Sequence, residues 1–218
     1  KEHDVDYISQ GGNPTASKYF VTHPVETIQS IINGTDNILK LAVETKIKSM
    51  VYLSSMEVYG QVADYRQVVS EKDLGYIDIL DTRSSYSEGK RMAECLCASY
   101  ASEYQIPVKI ARISRIISPC IVDNNDTRIL TQFARCIAEK RDIVLHSAGE
   151  TMLNYCYVAD ALSALFTLLL NGKNGEAYNI SNTNAVVSVT KLAHMLAEMY
   201  PSAGINVLHK LPTANDTY

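Results

Sequence analysis

The sequence lacks a long hydrophobic run, a run of basic residues and an N-terminal signal peptide. Its most apolar stretch, residues 161–170, is shorter than the roughly 20 residues that a helix needs to cross a bilayer. The 20 basic and 24 acidic residues are interspersed and give a net charge of −4, which does not favour binding to a nucleic-acid backbone. We therefore expect a soluble cytoplasmic protein with no membrane or nucleic-acid partner.

Cysteine pairs at metal-binding spacing are also missing. The five cysteines are odd in number and include no C-x-x-C pair. This usage is typical of reduced thiols in a cytosolic protein, so neither a metal site nor a disulfide framework is expected. The five positions are Cys95, Cys97, Cys120, Cys136 and Cys156.

No methionine begins the sequence, and no obvious closing element ends it. The chain starts at Lys1, enters a strand-like run almost at once and stops in a polar stretch at 215–218. We therefore expect these 218 residues to be part of a longer chain.

Strand-like runs alternate with helix-length periodic segments along the whole chain. The patterns predict strands at 5–8, 50–53, 108–111, 143–145, 177–180 and 205–208, and helices at 24–45, 85–103, 130–140, 159–170 and 189–200. Residues 60–84 are polar and predict a loop. This order favours an α/β fold with a mostly parallel sheet and helices on both faces.

Two pairs of small residues follow predicted strands. Gly11-Gly12 and Ser54-Ser55 both fall where a strand ends. Ligands of open α/β sheets bind at the carboxyl ends of the strands, so both pairs are candidates for lining one site.

A Y-x-x-x-K pattern places Tyr86 and Lys90 on one face of a predicted helix. A neighbouring ammonium favours a phenolate and should lower the tyrosine pKa, which lets the phenolate take a hydroxyl proton while hydride leaves the same carbon. With 14 tyrosines in the chain, such a pair arises by chance about as often as not. Support comes from Ser55, about thirty residues earlier, whose hydroxyl could bind the same substrate oxygen, although serines also simply end strands.

Taken together, these segments resemble the extended short-chain dehydrogenase/reductases, and specifically the NAD-dependent nucleotide-sugar epimerase/dehydratase group. The resemblance covers nearly the whole chain, and the stretch 83–94 is most similar to the UDP-glucuronate decarboxylases. The segments that carry it are 6–12, 33–39, 54–60, 86–90, 112–119, 157–160 and 175–180.

The resemblance implies a Rossmann-like doubly wound parallel sheet with a smaller C-terminal substrate-binding part. The glycine-rich G-x-x-G-x-x-G phosphate loop does not occur among the ten glycines, so the N-terminal βαβ units are expected upstream of Lys1. We assign residues 1–118 to a partial NAD-binding Rossmann domain with the catalytic helix. Residues 119–218 are mainly the substrate-binding part, with some segments returning to the sheet.

The resemblance also implies roles for single residues. Tyr86 matches the catalytic base, Lys90 the lysine that binds ribose and lowers the tyrosine pKa, and Ser55 the hydroxyl that contacts the substrate. Glu57 matches a glutamate that assists later proton transfer, or is a solvated loop carboxylate.

The implied cofactor is NAD, and NADP is not excluded. The residues assigned to it are Gly11, Gly12, Ser54, Tyr86 and Lys90. The two glycines would let the dinucleotide approach the backbone; the alternative is that they are tight-turn glycines.

Several positions depart from the family pattern. Ile31 replaces an asparagine of the active-site network, and Met56 replaces the aspartate general acid of the dehydratases, which makes 4,6-dehydration unexpected. Leu153 stands where an arginine usually grips the nucleotide diphosphate or a carboxylate. Arg115 replaces another asparagine, and we assign it to substrate binding because it could supply the lost positive charge.

The sequence predicts an NAD-dependent epimerase, dehydratase or decarboxylase that transiently oxidises a sugar hydroxyl. A carbonyl reductase of the same fold and a degenerate, non-catalytic relative remain alternatives. By family analogy the protein is a homodimer, with the helices at 28–45 and 86–104 at the interface, and its substrate is a nucleotide-sugar or another small molecule.

Overall fold

The computed structural model describes residues 5–62, 68–119, 126 and 128–210, so that Cys120 and the stretch 215–218 lie outside the described residues. Its helices are α1 (Ser17–Thr22), α2 (Pro24–Thr45), α3 (Ser85–Glu103), α4 (Ile129–Ala138), α5 (Val158–Asn171) and α6 (Val189–Met199). Its strands are β1 (Tyr7–Gln10), β2 (Ser49–Ser55), β3 (Val108–Ile113), β4 (Arg115–Ile117), β5 (Ile143–Leu145), β6 (Met152–Tyr157), β7 (Ala177–Ile180), β8 (Val186–Ser188) and β9 (Val207–His209).

The chain divides into two compact units. One comprises residues 1–116 and 156–181, and the other comprises residues 117–155 and 182–218. The chain therefore leaves the first unit after β3 and returns to it for α5 and β7.

The first unit contains a four-stranded parallel sheet in the order β1-β2-β3-β7. Successive residues of β2 point to opposite faces of this sheet. Met50 and Tyr52 pack into the apolar core formed with α2 and α3, whereas Val51 packs into the core formed with α5. Helices thus cover both faces, which confirms the doubly wound α/β fold that the sequence predicts.

Helices α2 and α3 begin and end where the sequence predicts, and they bring the site residues to the sheet. Pro24 occupies the first turn of α2, where its missing N–H costs nothing. The helices pack closely because Gly89 of α3 faces Ile31 of α2, and a Cβ on Gly89 would lie 3.1 Å from Ile31 Cδ1. This contact gives Ile31 a packing role in the core, where it is fully buried.

The second unit has its own apolar core, with Phe133, Leu145, Leu153 and Leu192 among its buried members. Strands β5 and β9 pair in parallel, and β6 pairs antiparallel with β8. Leu153 lies in β6, and its side chain is 1% exposed. In the part of the chain that the structure describes, no helix is both long and apolar enough to cross a membrane.

Candidate active site

The candidate site lies where β1 and β2 end and α3 begins. Ser55 is the last residue of β2, and its hydroxyl oxygen accepts a hydrogen bond from the Glu57 backbone N–H at 3.2 Å. This contact caps the 3-10 turn Met56–Tyr59. The sheet edge and the turn after it are therefore fixed through Ser55.

Tyr86 lies in the first turn of α3 and is 8% exposed. Its ring stacks on Phe20 of α1, with ring centroids 4.2 Å apart and an interplanar angle of 10°. Burial raises the pKa of the Tyr86 phenol, the hydrogen bond with the Ser55 side chain opposes this rise, and the Glu57 charge adds to it. The lowered tyrosine pKa expected from the sequence is therefore wrong for this chain, because burial outweighs the opposing effects of the Ser55 side chain and the Arg83 charge.

Lys90 lies one turn after Tyr86 and is 3% exposed. Its Nζ donates to the Leu53 backbone oxygen at 2.7 Å and lies 5.7 Å from the centroid of the Tyr86 ring. Burial lowers the pKa of Lys90 to about 8, although the nearby Glu94 carboxylate opposes the change. The i, i+4 spacing in the sequence thus brings this ammonium beside the tyrosine.

Asn13 also contacts Lys90, and sequence reasoning did not single it out. In the orientation of the Asn13 side-chain amide that gives both its oxygen and its nitrogen a hydrogen-bond partner, the oxygen accepts from Lys90 Nζ at 2.8 Å and the nitrogen donates to the Gly12 carbonyl at 3.3 Å. The residue directly follows Gly11-Gly12, so its position after a strand end was the available signal.

Glu57 is held by two side chains rather than left in solvent. Arg83 Nη2 donates to Glu57 Oε1 at 3.1 Å and to Oε2 at 2.9 Å, and Ser87 Oγ donates to Oε2 at 3.2 Å. The Arg83 guanidinium also lies 5.0 Å from the centroid of the Phe20 ring. The interpretation of Glu57 as a freely solvated carboxylate does not fit these contacts.

Ser54 faces a buried polar network. Its hydroxyl donates to Glu94 Oε1 at 2.5 Å. The Glu94 carboxylate accepts from Arg112 Nη2 at 2.7 Å, and Arg112 Nη1 donates to the Tyr59 hydroxyl at 3.1 Å. The Ser54 hydroxyl is thereby engaged inside the protein, while Ser55 points to Tyr86.

Gly11 and Gly12 differ in their surroundings. A Cβ on Gly11 would lie 2.8 Å from Leu53 Cδ1, so the small size of this residue accommodates a neighbouring side chain. A Cβ on Gly12 would lie 3.9 Å from the closest group, Gln10 Oε1, which is an ordinary van der Waals contact and leaves the backbone uncrowded. Neither glycine has the positive φ that a left-handed turn would require.

Arg115 and Leu153 lie in different environments. Arg115 is exposed, and its Nη1 contacts the Met56 sulfur at 3.6 Å. Leu153 belongs to the apolar core of the second unit. A cationic side chain thus stands at position 115, and an apolar one is buried at position 153.

The side chains around Ser55, Tyr86 and Lys90 are suited to moving one proton. The Ser55 hydroxyl favours the ionised form of the Tyr86 phenol, and the Lys90 ammonium lies beside the phenol ring. Two acceptors take two of the three N–H donors of Lys90, so one donor can meet a ribose hydroxyl. This donor and the uncrowded backbone at Gly12 fit the nicotinamide-ribose end of a dinucleotide.

A family model described as the NAD dependent epimerase/dehydratase family matches residues 1–181. Among curated relatives, UDP-glucuronic acid decarboxylase 1 of Xenopus tropicalis is 27% identical over 92% of this chain and 46% of its own length. Human dTDP-D-glucose 4,6-dehydratase is 30% identical over 77% of this chain and 45% of its own length. The chain thus spans about half the length of the curated relatives that it matches.

A solved structure shares the fold. The UDP-glucose 4-epimerase of Thermotoga maritima, solved with UDP-glucose, superimposes with a TM-score of 0.82 at 19% identity. The match covers 97% of this chain and 66% of that protein.

Proposed function

The chain belongs to the NAD-dependent epimerase/dehydratase family, and from that premise we propose that it forms the catalytic part of an enzyme that transiently oxidises a hydroxyl of a nucleotide-linked sugar. The observation that carries the proposal is the convergence of Ser55, Tyr86 and Lys90 at the end of β2. The same three residues would serve a carbonyl reductase, so the sugar is proposed from the family relationship.

In this function Tyr86 takes the proton of the sugar hydroxyl. Ser55 holds that hydroxyl and, through its hydrogen bond, favours the phenolate form of Tyr86. Lys90 supplies positive charge beside the phenolate and binds the nicotinamide ribose. NAD, when bound, would supply the acceptor for the hydride that leaves the same sugar carbon.

The remaining site residues have secondary roles in the proposal. Gly12 offers backbone without steric hindrance to the cofactor, with Gly11 and Ser54 behind it at the sheet edge. Arg115 supplies charge for the anionic part of the substrate. Glu57, held by Arg83 and Ser87, assists proton transfer after the first oxidation.

We also propose roles for the two parts of the chain, an oligomeric state and a cellular location. Residues 1–118 carry the cofactor half and residues 119–218 mainly the substrate half. Exposed apolar side chains on α2 and α3, among them Val25, Ile28 and Met92, support a homodimer through these helices. The free thiols of the described cysteines support a cytoplasmic location.

The test is hydride exchange in the protein that carries this chain. Enzyme incubated with NADH that is deuterated at the transferable C4 position and with a panel of 4-keto UDP- and dTDP-sugars should transfer deuterium to C4 of the sugar, as read by mass spectrometry. Tyr86→Phe should abolish the transfer, and Tyr76→Phe, an exposed tyrosine, is the matched control. Full activity in Tyr86→Phe would sink the assignment.

A further inference from the structure

Arg83 contacts two neighbours of Tyr86, the Glu57 carboxylate and the Phe20 ring. The sequence patterns assigned no role to Arg83. One guanidinium nitrogen makes both hydrogen bonds to the Glu57 carboxylate, at 3.1 and 2.9 Å. The guanidinium also stacks over Phe20, whose ring is itself stacked on Tyr86. Arg83 therefore contacts a charged neighbour and a packing neighbour of the same tyrosine.

The ion pair itself contributes little to stability. The side chains of Arg83 and Glu57 are 34% and 35% exposed. Ion pairs exposed to this degree typically contribute about 0–1 kcal/mol. A purely structural role would thus leave few consequences when Arg83 is replaced, and its effect is better sought at Tyr86.

The geometry ties Glu57 to the tyrosine through Ser55. The Glu57 N–H donates to the Ser55 hydroxyl, and the Ser55 side chain and the Glu57 charge both affect the pKa of the Tyr86 phenol. Ser87 Oγ holds the Glu57 carboxylate from the side of α3. When Arg83 fixes this carboxylate, it also fixes the negative charge that raises the pKa of the Tyr86 phenol.

We propose that Arg83 is a positioning residue for Tyr86, holding the Glu57 carboxylate with its Nη2 atom and the Phe20 ring with its guanidinium face. The inference rests on the function proposed above, in which Tyr86 carries the proton. Arg83 keeps the negative charge of Glu57 compensated at the point where the phenolate must form.

The charges around Tyr86 agree with this role. Glu57 raises the pKa of the Tyr86 phenol and Arg83 lowers it. The other titratable groups nearby are the Lys90 ammonium, 5.7 Å from the ring centroid, and the buried Tyr52 phenol of β2. Loss of Arg83 should therefore leave Glu57 unopposed on its side of the phenol and make the phenolate harder to form.

The experiment replaces Tyr86 by 3,5-difluorotyrosine, which brings the phenol titration into the neutral range, and follows it by ¹⁹F NMR. Arg83→Gln should raise the midpoint by about half a pH unit or more, as expected for loss of a partly screened charge. Glu57→Gln should lower the midpoint. Arg83→Lys should keep it close to that of the parent, since one nitrogen makes both contacts to Glu57 and an ammonium can replace it.

Arg141→Gln is the matched control, because Arg141 is an exposed arginine that pairs with Glu139. It should leave the midpoint unchanged. An unchanged midpoint in a folded Arg83→Gln protein, judged by circular dichroism, would overturn the proposal. If that variant does not fold, a Glu57→Gln midpoint that fails to fall overturns it instead.

The titration needs neither cofactor nor sugar. A shifted midpoint with no hydride exchange in the longer protein would leave the Arg83 inference standing and remove the proposed function. Hydride exchange with an unshifted midpoint would leave the proposed function standing and remove the Arg83 inference.

Discussion

The Nζ atom of Lys90 lies 2.7 Å from the backbone oxygen of Leu53, so the ammonium on α3 is bound to strand β2 at the residue directly before Ser54 and Ser55. Its side chain is almost fully buried, and the described residues give it carbonyl and amide oxygens as direct acceptors rather than a carboxylate. A buried ammonium without a direct counter-ion costs stability. The buried Lys90 ammonium at this site therefore lowers the stability of the folded chain.

Lys90→Met should change the pH dependence of stability. The Lys90 pKa is about 8 in the folded chain and 10.5 in the unfolded chain, so between these values the unfolded chain binds the extra proton. Stability should rise with pH through this window, by up to about 3 kcal/mol from this group, and the cost of the buried charge is fully present below pH 8. Urea unfolding at pH 7.5 and 10 measures the difference.

The rise should be absent in Lys90→Met and kept in Lys173→Met, which replaces an exposed lysine. Equal pH dependence in the parent and Lys90→Met would contradict this account.

Removing one partner of the buried ion pair between Glu94 and Arg112 should lower the stability of the chain strongly. Glu94→Gln leaves a buried guanidinium without its charge partner and should lower the free energy of unfolding by about 3–5 kcal/mol. The double variant Glu94→Gln/Arg112→Met should lose less than the sum of the single variants. A double-mutant cycle from urea unfolding checks this, and Glu139→Gln at an exposed pair should cost less than about 1 kcal/mol. Additive losses would show that the two side chains are not coupled.

Substitution by alanine should lower the stability much more at Gly60 than at Gly12. Gly60 has a φ of 62°, and a Cβ there would lie 2.4 Å from the Tyr76 backbone oxygen, so Gly60→Ala should cost at least about 1–3 kcal/mol. A Cβ on Gly12 would make only an ordinary van der Waals contact, so Gly12→Ala should change the stability by less than about 0.5 kcal/mol. Urea unfolding compares the two, and Gly12→Ala should weaken NAD binding in the protein that binds it. Comparable losses in the two variants would contradict the uncrowded position of Gly12.

The sequence correctly predicted the helices and strands that have a long, regular apolar pattern or clear residues at their ends. Helix α2 has a clear periodic apolar face and a proline in its first turn, and its bounds at Pro24 and Thr45 were predicted correctly. Helix α1 has six residues and one buried apolar side chain, too few to show a period, and it was missed. Strand β6 was also missed, because its six residues run directly into α5 without a turn residue between them.

The site was predictable where its residues sit at fixed local spacing. Tyr86 and Lys90 are one helical turn apart, and Ser55 ends a strand. The contacts of Phe20, Asn13 and Arg83 join segments up to 77 residues apart in the chain, as for Asn13 and Lys90, so their roles emerge only when the fold brings those segments together. The direction of the Tyr86 pKa was missed for the same reason, since burial is a property of the fold.

Replacing Leu153 by arginine should destabilise the second unit. Leu153 is 1% exposed in an apolar core, and a guanidinium there has no charge partner among the core residues that surround it, so Leu153→Arg should cost several kcal/mol. Leu153→Met keeps the volume and should cost less than about 1.5 kcal/mol, and Leu208→Arg, at a side chain 45% exposed, should be nearly neutral. Amide hydrogen exchange resolves the effect by region: protection should fall in β6, β8 and α6, while β2 and α3 of the first unit keep theirs. A Leu153→Arg protein with parent-like protection throughout would show that this core accepts an arginine.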